Sequence, residues 1–231
     1  MFGAGTMGKG LALLAARAGL GIKRRGSFSL NRGFTCCMLS PDGGRTMPVP
    51  DALKLTYDDY LNFAADGKRH EIIDGEHHMT PSPQSRHQLV SMNLSRILAN
   101  YAAEGDRGYV ITAPMDVVLA DTTVVQPDLL FVRKERERII KENFVEGPPE
   151  LVVEILSAGS EKLDRRTKLK QYALFGVWEY WLVDYKARAL EQYVLQGQIY
   201  ERSGVYVEDF SSALFPSLTI HLPDVFKGPG F

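Results

Sequence analysis

The chain has 231 residues, 45% of them apolar, which suffices for one sizeable core, and no apolar run approaches the roughly 20 residues needed to cross a bilayer. Its formal net charge of -1 hides an asymmetry: residues 1–46 carry seven Lys or Arg and one acid, whereas residues 47–231 carry 20 Lys or Arg against 27 Asp or Glu. An acidic body argues against a generic nucleic-acid coat protein, but leaves room for an enzyme that meets nucleic acid through a local basic strip.

Residues 1–46 differ from the rest in being basic and rich in Gly and Ser. Gly3-Ala4-Gly5-Thr6-Met7-Gly8 spells a dinucleotide fingerprint, but only Met1 and Phe2 precede it, so the strand that such a loop must follow is missing. Three explanations stay open: a disordered basic arm, an organellar targeting peptide, or upstream sequence carried in by a start codon misassigned ahead of Met47. The last is favoured, which makes residues 47–231 a single domain. The adjacent Cys36 and Cys37 offer neither a disulfide framework nor a metal knuckle, and point to a cytoplasmic protein.

Thr56 and Asp59 form a capping box for a short helix over about 57–65. Residues 70–80 read as a hairpin turning at Asp74-Gly75. Pro81-Ser82-Pro83 breaks the chain. A helix over 84–104 follows, with Val90, Leu94, Ile97, Leu98 and Tyr101 at helical spacing. Strands are expected at about 109–119 and 124–132, with Pro127 marking a bulge or a strand entry. Residues 133–147 are charged and irregular, with room for a short helix. Residues 150–156 are almost wholly apolar, as in a strand covered on both faces, yet include Glu154. A helix is expected over 160–175, closed by Gly176. A strand at 180–184 and an antiparallel pair about Gln196-Gly197 come next, and residues 215–220 look like an edge segment packing on the body. The pattern is mixed α/β.

A carboxylate inside an apolar strand needs a partner, because burying it alone costs several kcal/mol. A structural ion pair would suffice. Alternatively Asp128 and Glu154, from neighbouring strands, share a metal; Mg²⁺ takes oxygen ligands and keeps waters, and two carboxylates plus phosphate oxygens suit it. Asp164, Lys168 and Tyr172 are spaced at i, i+4 on the following helix. Lys168 could stabilise developing negative charge or orient a water, although an exposed helix ion pair would have the same spacing. The five histidines form no HExxH pattern. Ser82, Ser85 and His87 lack the elbow and ordered acid of a serine hydrolase.

From about Leu55 to Leu195 the chain resembles the Uma2 family, which has a restriction endonuclease-like PD-(D/E)xK core. The matching stretches are Thr56–Tyr60, His70–Glu76, Pro81–Pro83 with His87, Val125–Leu129, Val152–Ser157, Asp164 with Lys168 and Tyr172, and Gly176–Asp184. The resemblance implies a central mixed β-sheet flanked by helices. It makes Asp128 the acid of the PD half-motif and Glu154 the acid of the second half. The plain motif expects a lysine where Leu156 stands; the lysine has moved to the helix at Lys168, with Lys170 the lesser candidate. Glu71 completes the metal shell, His87 touches substrate or a neighbouring acid, and Asp164 and Tyr172 orient Lys168.

The function implied is Mg²⁺- or Mn²⁺-dependent endonucleolytic hydrolysis, with DNA as partner and a homodimer by analogy with restriction enzymes. Asp128, Glu154 and Lys168 would be catalytic, and Asp128, Glu154 and Glu71 would hold the metal. The alternative is a binding module for nucleic acid or protein that keeps the fold without turnover; a third option is hydrolysis of another phosphate ester. No membrane partner is expected.

Overall fold

Asp74 and Gly75 both take positive φ, 52° and 80°, as a type I′ turn requires. They join β1 (Arg69–Ile73) to β2 (Glu76–Thr80), as the sequence predicts. The computed structural model describes residues 53–63 and 66–231; the explanations offered for residues 1–46, and the glycine fingerprint within them, lie outside the described residues. Ahead of the hairpin, α1 (Tyr57–Tyr60) is a single turn, shorter than expected. Asp59 Oδ2 accepts both the backbone N–H and the hydroxyl of Thr56, each at 2.8 Å. The amphipathic helix α2 (Ser85–Glu104) buries His87, Val90, Leu94, Leu98 and Tyr101 on one face and stops at Gly105.

The two strands expected at 109–119 and 124–132 are each divided. The first gives β3 (Gly108–Thr112) and β4 (Asp116–Ala120), and the second gives β5 (Thr123–Val125) and β6 (Leu129–Arg133). Pro114 and Pro127 stand at the two breaks, where a residue without an N–H costs no ladder bond. The halves then separate into different sheets. β3 and β6 join a six-stranded sheet, while β4 and β5 join a five-stranded one.

The chain continues through β7 (Phe144–Glu146) and β8 (Leu151–Ile155). A π-helical turn over Leu163–Lys168 runs into α3 (Leu169–Phe175), which Gly176 closes at φ 86°. Then come β9 (Glu179–Asp184), β10 (Ala189–Gln196), β11 (Ile199–Tyr206), β12 (Asp209–Ser211), β13 (Thr219–His221) and α4 (Leu222–Val225).

The central sheet has the order β11-β10-β9-β8-β6-β3. It is mixed: β8 and β9 are parallel and the other neighbours antiparallel. The second sheet has the order β2-β1-β5-β4-β7. Side chains alternate across β8, so the two faces enter different cores. Leu151, Val153 and Ile155 pack with Val90, Leu94 and Leu98 of α2 and with Phe210, Phe215 and Ile220. Val152 packs with Tyr172 of α3 and with Ile73, Val117, Val125 and Val145 of the second sheet. Both faces of β8 are therefore covered, which is why its run is almost wholly apolar.

The C-terminal segment packs on the body as expected. Among the described residues it pairs only within the two-stranded sheet of β12 and β13, and it closes one face of the central sheet. Phe215 is buried and meets the rings of Tyr101, Phe131 and Trp181 at centroid distances of 5.6, 5.0 and 5.6 Å. Among the described residues no helix is long and apolar enough to cross a membrane.

Candidate functional site

Glu154 has the parity of Val152, so it points beneath the second sheet and α3 rather than toward α2. Three elements meet it there. Lys168, at the end of the π turn, donates to Glu154 Oε1 at 2.9 Å, and Tyr172, one turn on, donates to the same oxygen at 2.9 Å. Glu71, from β1, takes the Lys168 ammonium on its Oε1 at 2.9 Å and accepts the Gln126 backbone N–H on the same atom at 2.7 Å. Asp164 lies farther out, with Oδ1 3.6 Å from Lys168 Nζ. π-Helical turns of this kind recur at functional sites, and here the turn places both Asp164 and Lys168 inside. Lys170 is exposed, so it is not the lysine of this site.

Asp128 arrives by strand register. Leu129 of β6 stands opposite Val153 of β8. One residue earlier on one strand and one later on the other, Asp128 therefore comes beside Glu154. Asp128 Oδ2 accepts the backbone N–H of Ile155 at 2.8 Å and bonds His87 Nε2 at 3.0 Å. Its Oδ1 accepts Arg69 Nη1 at 2.8 Å.

The electrostatics separate the carboxylates. Burial alone would raise Asp128, but the hydrogen bond and charge of His87 and the charge of Arg69 outweigh it and hold the group down to about 2. Burial raises Glu154 well above the usual carboxylate range although Lys168 opposes it. Burial likewise pushes Asp164 up to about 6. Lys168 stays cationic: its desolvation is overcome by Glu154, Glu71 and Asp164, which lift its pKa well above that of a free lysine. Burial pushes the Tyr172 hydroxyl up too, so it is a donor.

Asp128, Glu154 and Lys168 share the wall of a cleft of about 190 Å³ with Arg69, His87 and Ser157, under a rim made by Pro81–Pro83. A second hollow of about 250 Å³ adjoins it and shares Arg69, His87 and Asp128. The remaining predicted residues, Glu71, Asp164 and Tyr172, stand behind Lys168 rather than on the cleft wall. Arg69 is the participant that sequence reasoning missed. Its signal was strand alternation: Arg69 and Glu71 are two apart on β1 and so share a face.

The expected three-carboxylate shell of Asp128, Glu154 and Glu71 does not stand open. Among the described residues no three His, Cys, Asp or Glu side chains are arranged to hold a metal, because Lys168 occupies the space between Glu71 and Glu154 and Arg69 caps Asp128. The chemistry of the site still fits a hard divalent cation on the cleft side. Four carboxylates (Glu71, Asp128, Glu154, Asp164) face two permanent cations, Arg69 and Lys168. On the cleft wall the donors are carboxylate oxygens of Asp128 and Glu154, and Lys168 and Tyr172 both use Glu154 Oε1; oxygen donors of this kind suit Mg²⁺ or Mn²⁺. Behind Lys168, Glu71 Oε2 and both Asp164 carboxylate oxygens are buried without a hydrogen-bond partner, a state that ordinarily costs about 1–3 kcal/mol or more per group.

Residues 57–223 match the family model described as "Uma2: Putative restriction endonuclease". The fold is also similar to the crystal structure of "a putative nuclease belonging to DUF820 from Anabaena variabilis ATCC 29413", with a TM-score of 0.63 and 17% identity over 74% of this chain and 97% of that one. No curated protein matches. With a restriction endonuclease-like α/β fold, and a family match over most of its length, the chain belongs to the Uma2 family.

Proposed function

We propose that this protein is a Mg²⁺- or Mn²⁺-dependent endonuclease that hydrolyses phosphodiester bonds, with DNA as substrate. The observation that carries this reading is the meeting of Asp128, Glu154 and Lys168, from three separate elements, on one cleft wall. Family membership supports it at the level of the fold and the nuclease class. Asp128 and Glu154 would hold the cation, which when bound supplies a water of lowered pKa and polarises the scissile phosphate.

The chain's own residues do the rest. His87 and the Ile155 N–H aim Asp128. Lys168 and Tyr172 aim Glu154 through Oε1, and Glu71 and Asp164 hold Lys168 in place. Lys168, on the cleft wall and permanently charged, lowers the energy of charge building on the phosphate.

The test is calorimetric titration of the full chain with Mg²⁺ and Mn²⁺ beside plasmid nicking, in wild type and Asp128→Ala. Binding and nicking lost together in the variant are expected. A folded wild type that binds neither cation would overturn the proposal. It would favour instead a binding module without turnover, a reading to which the acidic body and the engagement of Glu154 by Lys168 already lend weight.

A further inference from the structure

Lys168 is 2% exposed and committed to Glu71 and Glu154 at 2.9 Å each. It can steady charge from the cleft wall, but it has little freedom to follow a substrate. Arg69 is placed differently. Its side chain is 20% exposed and lines both the catalytic cleft and the adjoining hollow. Among the described residues its one side-chain partner is Asp128, reached through a single nitrogen, Nη1. A guanidinium carries five N–H donors in a rigid fork suited to a phosphate's paired oxygens, so most of this fork is left for a ligand.

The oxygens of Asp128 are divided as well. Oδ2 is taken by His87 and by the Ile155 N–H. Oδ1 has Arg69 alone. Any cation that approaches Asp128 from the cleft must therefore come to Oδ1, where it competes with the guanidinium.

We propose that Arg69 is a phosphate-binding residue that exchanges partners. It caps Asp128 Oδ1 while the site awaits substrate, and it turns to a substrate phosphate at the junction of the two hollows once a divalent cation takes that oxygen. Arg69 thus acts both as a stand-in for the cation and as a clamp on the strand. This rests on the endonuclease reading and adds to it a residue that touches substrate.

The exchange makes opposite predictions for cation and substrate. In Arg69→Ala, Oδ1 loses its competitor, so the full chain should bind Mn²⁺ severalfold more tightly by calorimetry. The same variant should nick plasmid at least tenfold more slowly. With Ca²⁺ holding the site in place of Mn²⁺, its affinity for a short DNA duplex should fall, and the slope of log affinity against log salt should shrink by about 0.9, the value of one phosphate contact; in EDTA, where the wild-type Arg69 stays on Asp128, the slope should not change. Arg69→Lys keeps the charge without the fork, and should restore the salt slope but not the full nicking rate.

Weaker Mn²⁺ binding in a folded Arg69→Ala protein would overturn the exchange, since a merely structural arginine weakens the site when removed. Unchanged nicking and an unchanged salt slope in Ca²⁺ would overturn the clamp. A wild type that neither binds Mn²⁺ nor nicks would instead strike the endonuclease reading itself, whatever the variants do. If Arg69→Ala fails to fold, the Arg69→Lys rate and slope decide.

Discussion

Replacing Lys168 by Met keeps much of the side chain's length and removes its charge. The ammonium is 2% exposed and lies against Glu71 and Glu154 at 2.9 Å and Asp164 at 3.6 Å. All three carboxyl groups are buried. Removing one partner of a buried pair leaves an uncompensated charge, and costs about 3–5 kcal/mol. For a domain of this size that corresponds to a fall in Tm of about 6–20 °C. The assay is urea and thermal unfolding of the full chain followed by circular dichroism, in EDTA at neutral pH. A second substitution supplies the internal check. Lys168→Met combined with Glu154→Gln replaces the carboxyl, which burial already drives toward its protonated form, by a neutral amide that Tyr172 can still address, so the double variant should recover more than about 1 kcal/mol of the single variant's loss as coupling. A single-variant loss below about 1 kcal/mol, the level of an exposed ion pair, would refute the assignment of Lys168 as the charge that makes this carboxylate cluster tolerable.

Asp164 gives the protein a pH dependence of defined sign. Burial raises its folded pKa to about 6, so the native state holds this proton more tightly than the unfolded chain does. That advantage is complete below about pH 4 and is lost as the pH rises through about 6, a change of up to about 3 kcal/mol. Asp164→Asn should flatten stability between pH 4 and 7 in urea melts, and parallel wild-type and variant profiles would dispose of the idea. Away from the site, Glu179 accepts from Trp181 Nε1 at 2.8 Å, Gln192 Nε2 at 3.0 Å and Ser212 Oγ at 2.7 Å. Glu179→Ala strands these donors and should cost about 2–4 kcal/mol without altering the metal titration; a loss under about 0.5 kcal/mol would show that the network is slack. Gly108 has φ 152°, and an added Cβ would lie 2.2 Å from the Val132 carbonyl oxygen. Gly108→Ala should therefore lower stability by about 2 kcal/mol or more, as a backbone clash of this kind demands, and a melt indistinguishable from wild type would refute that packing.

Much of the local structure was legible because it depends on neighbours in sequence. Asp74-Gly75 specifies its turn by tolerating positive φ at both positions, and the capping pair Thr56 and Asp59 needs only one helical turn. The apolar face of α2 repeats at helical spacing, so its burial follows from the pattern alone. The candidate site was partly legible for the same reason. An acid in the apolar run at Glu154, a second acid on the neighbouring strand at Asp128 and a lysine at Lys168 point to one another as partners, and the resemblance to Uma2 supplied Glu71 and His87.

The remainder depended on contacts between segments far apart in the chain. No local rule sends β3 and β6 to one sheet and β4 and β5 to another, because strand partners are chosen by the fit of distant surfaces. Pro114 and Pro127 mark where the chain breaks but not where each half goes. That the segment carrying Phe215 packs on the body was legible, but not against what, because the pocket it fills is made by Tyr101, Phe131 and Trp181. At the site, sequence spacing aligned Asp164, Lys168 and Tyr172, but could not show that Lys168 bridges Glu71 and Glu154, or that Arg69 caps Asp128. Those contacts join β1, β6, β8 and the helix after it. They exist only once two sheets have packed and excluded water from the carboxylates, and charges brought together by that packing must find one another as partners.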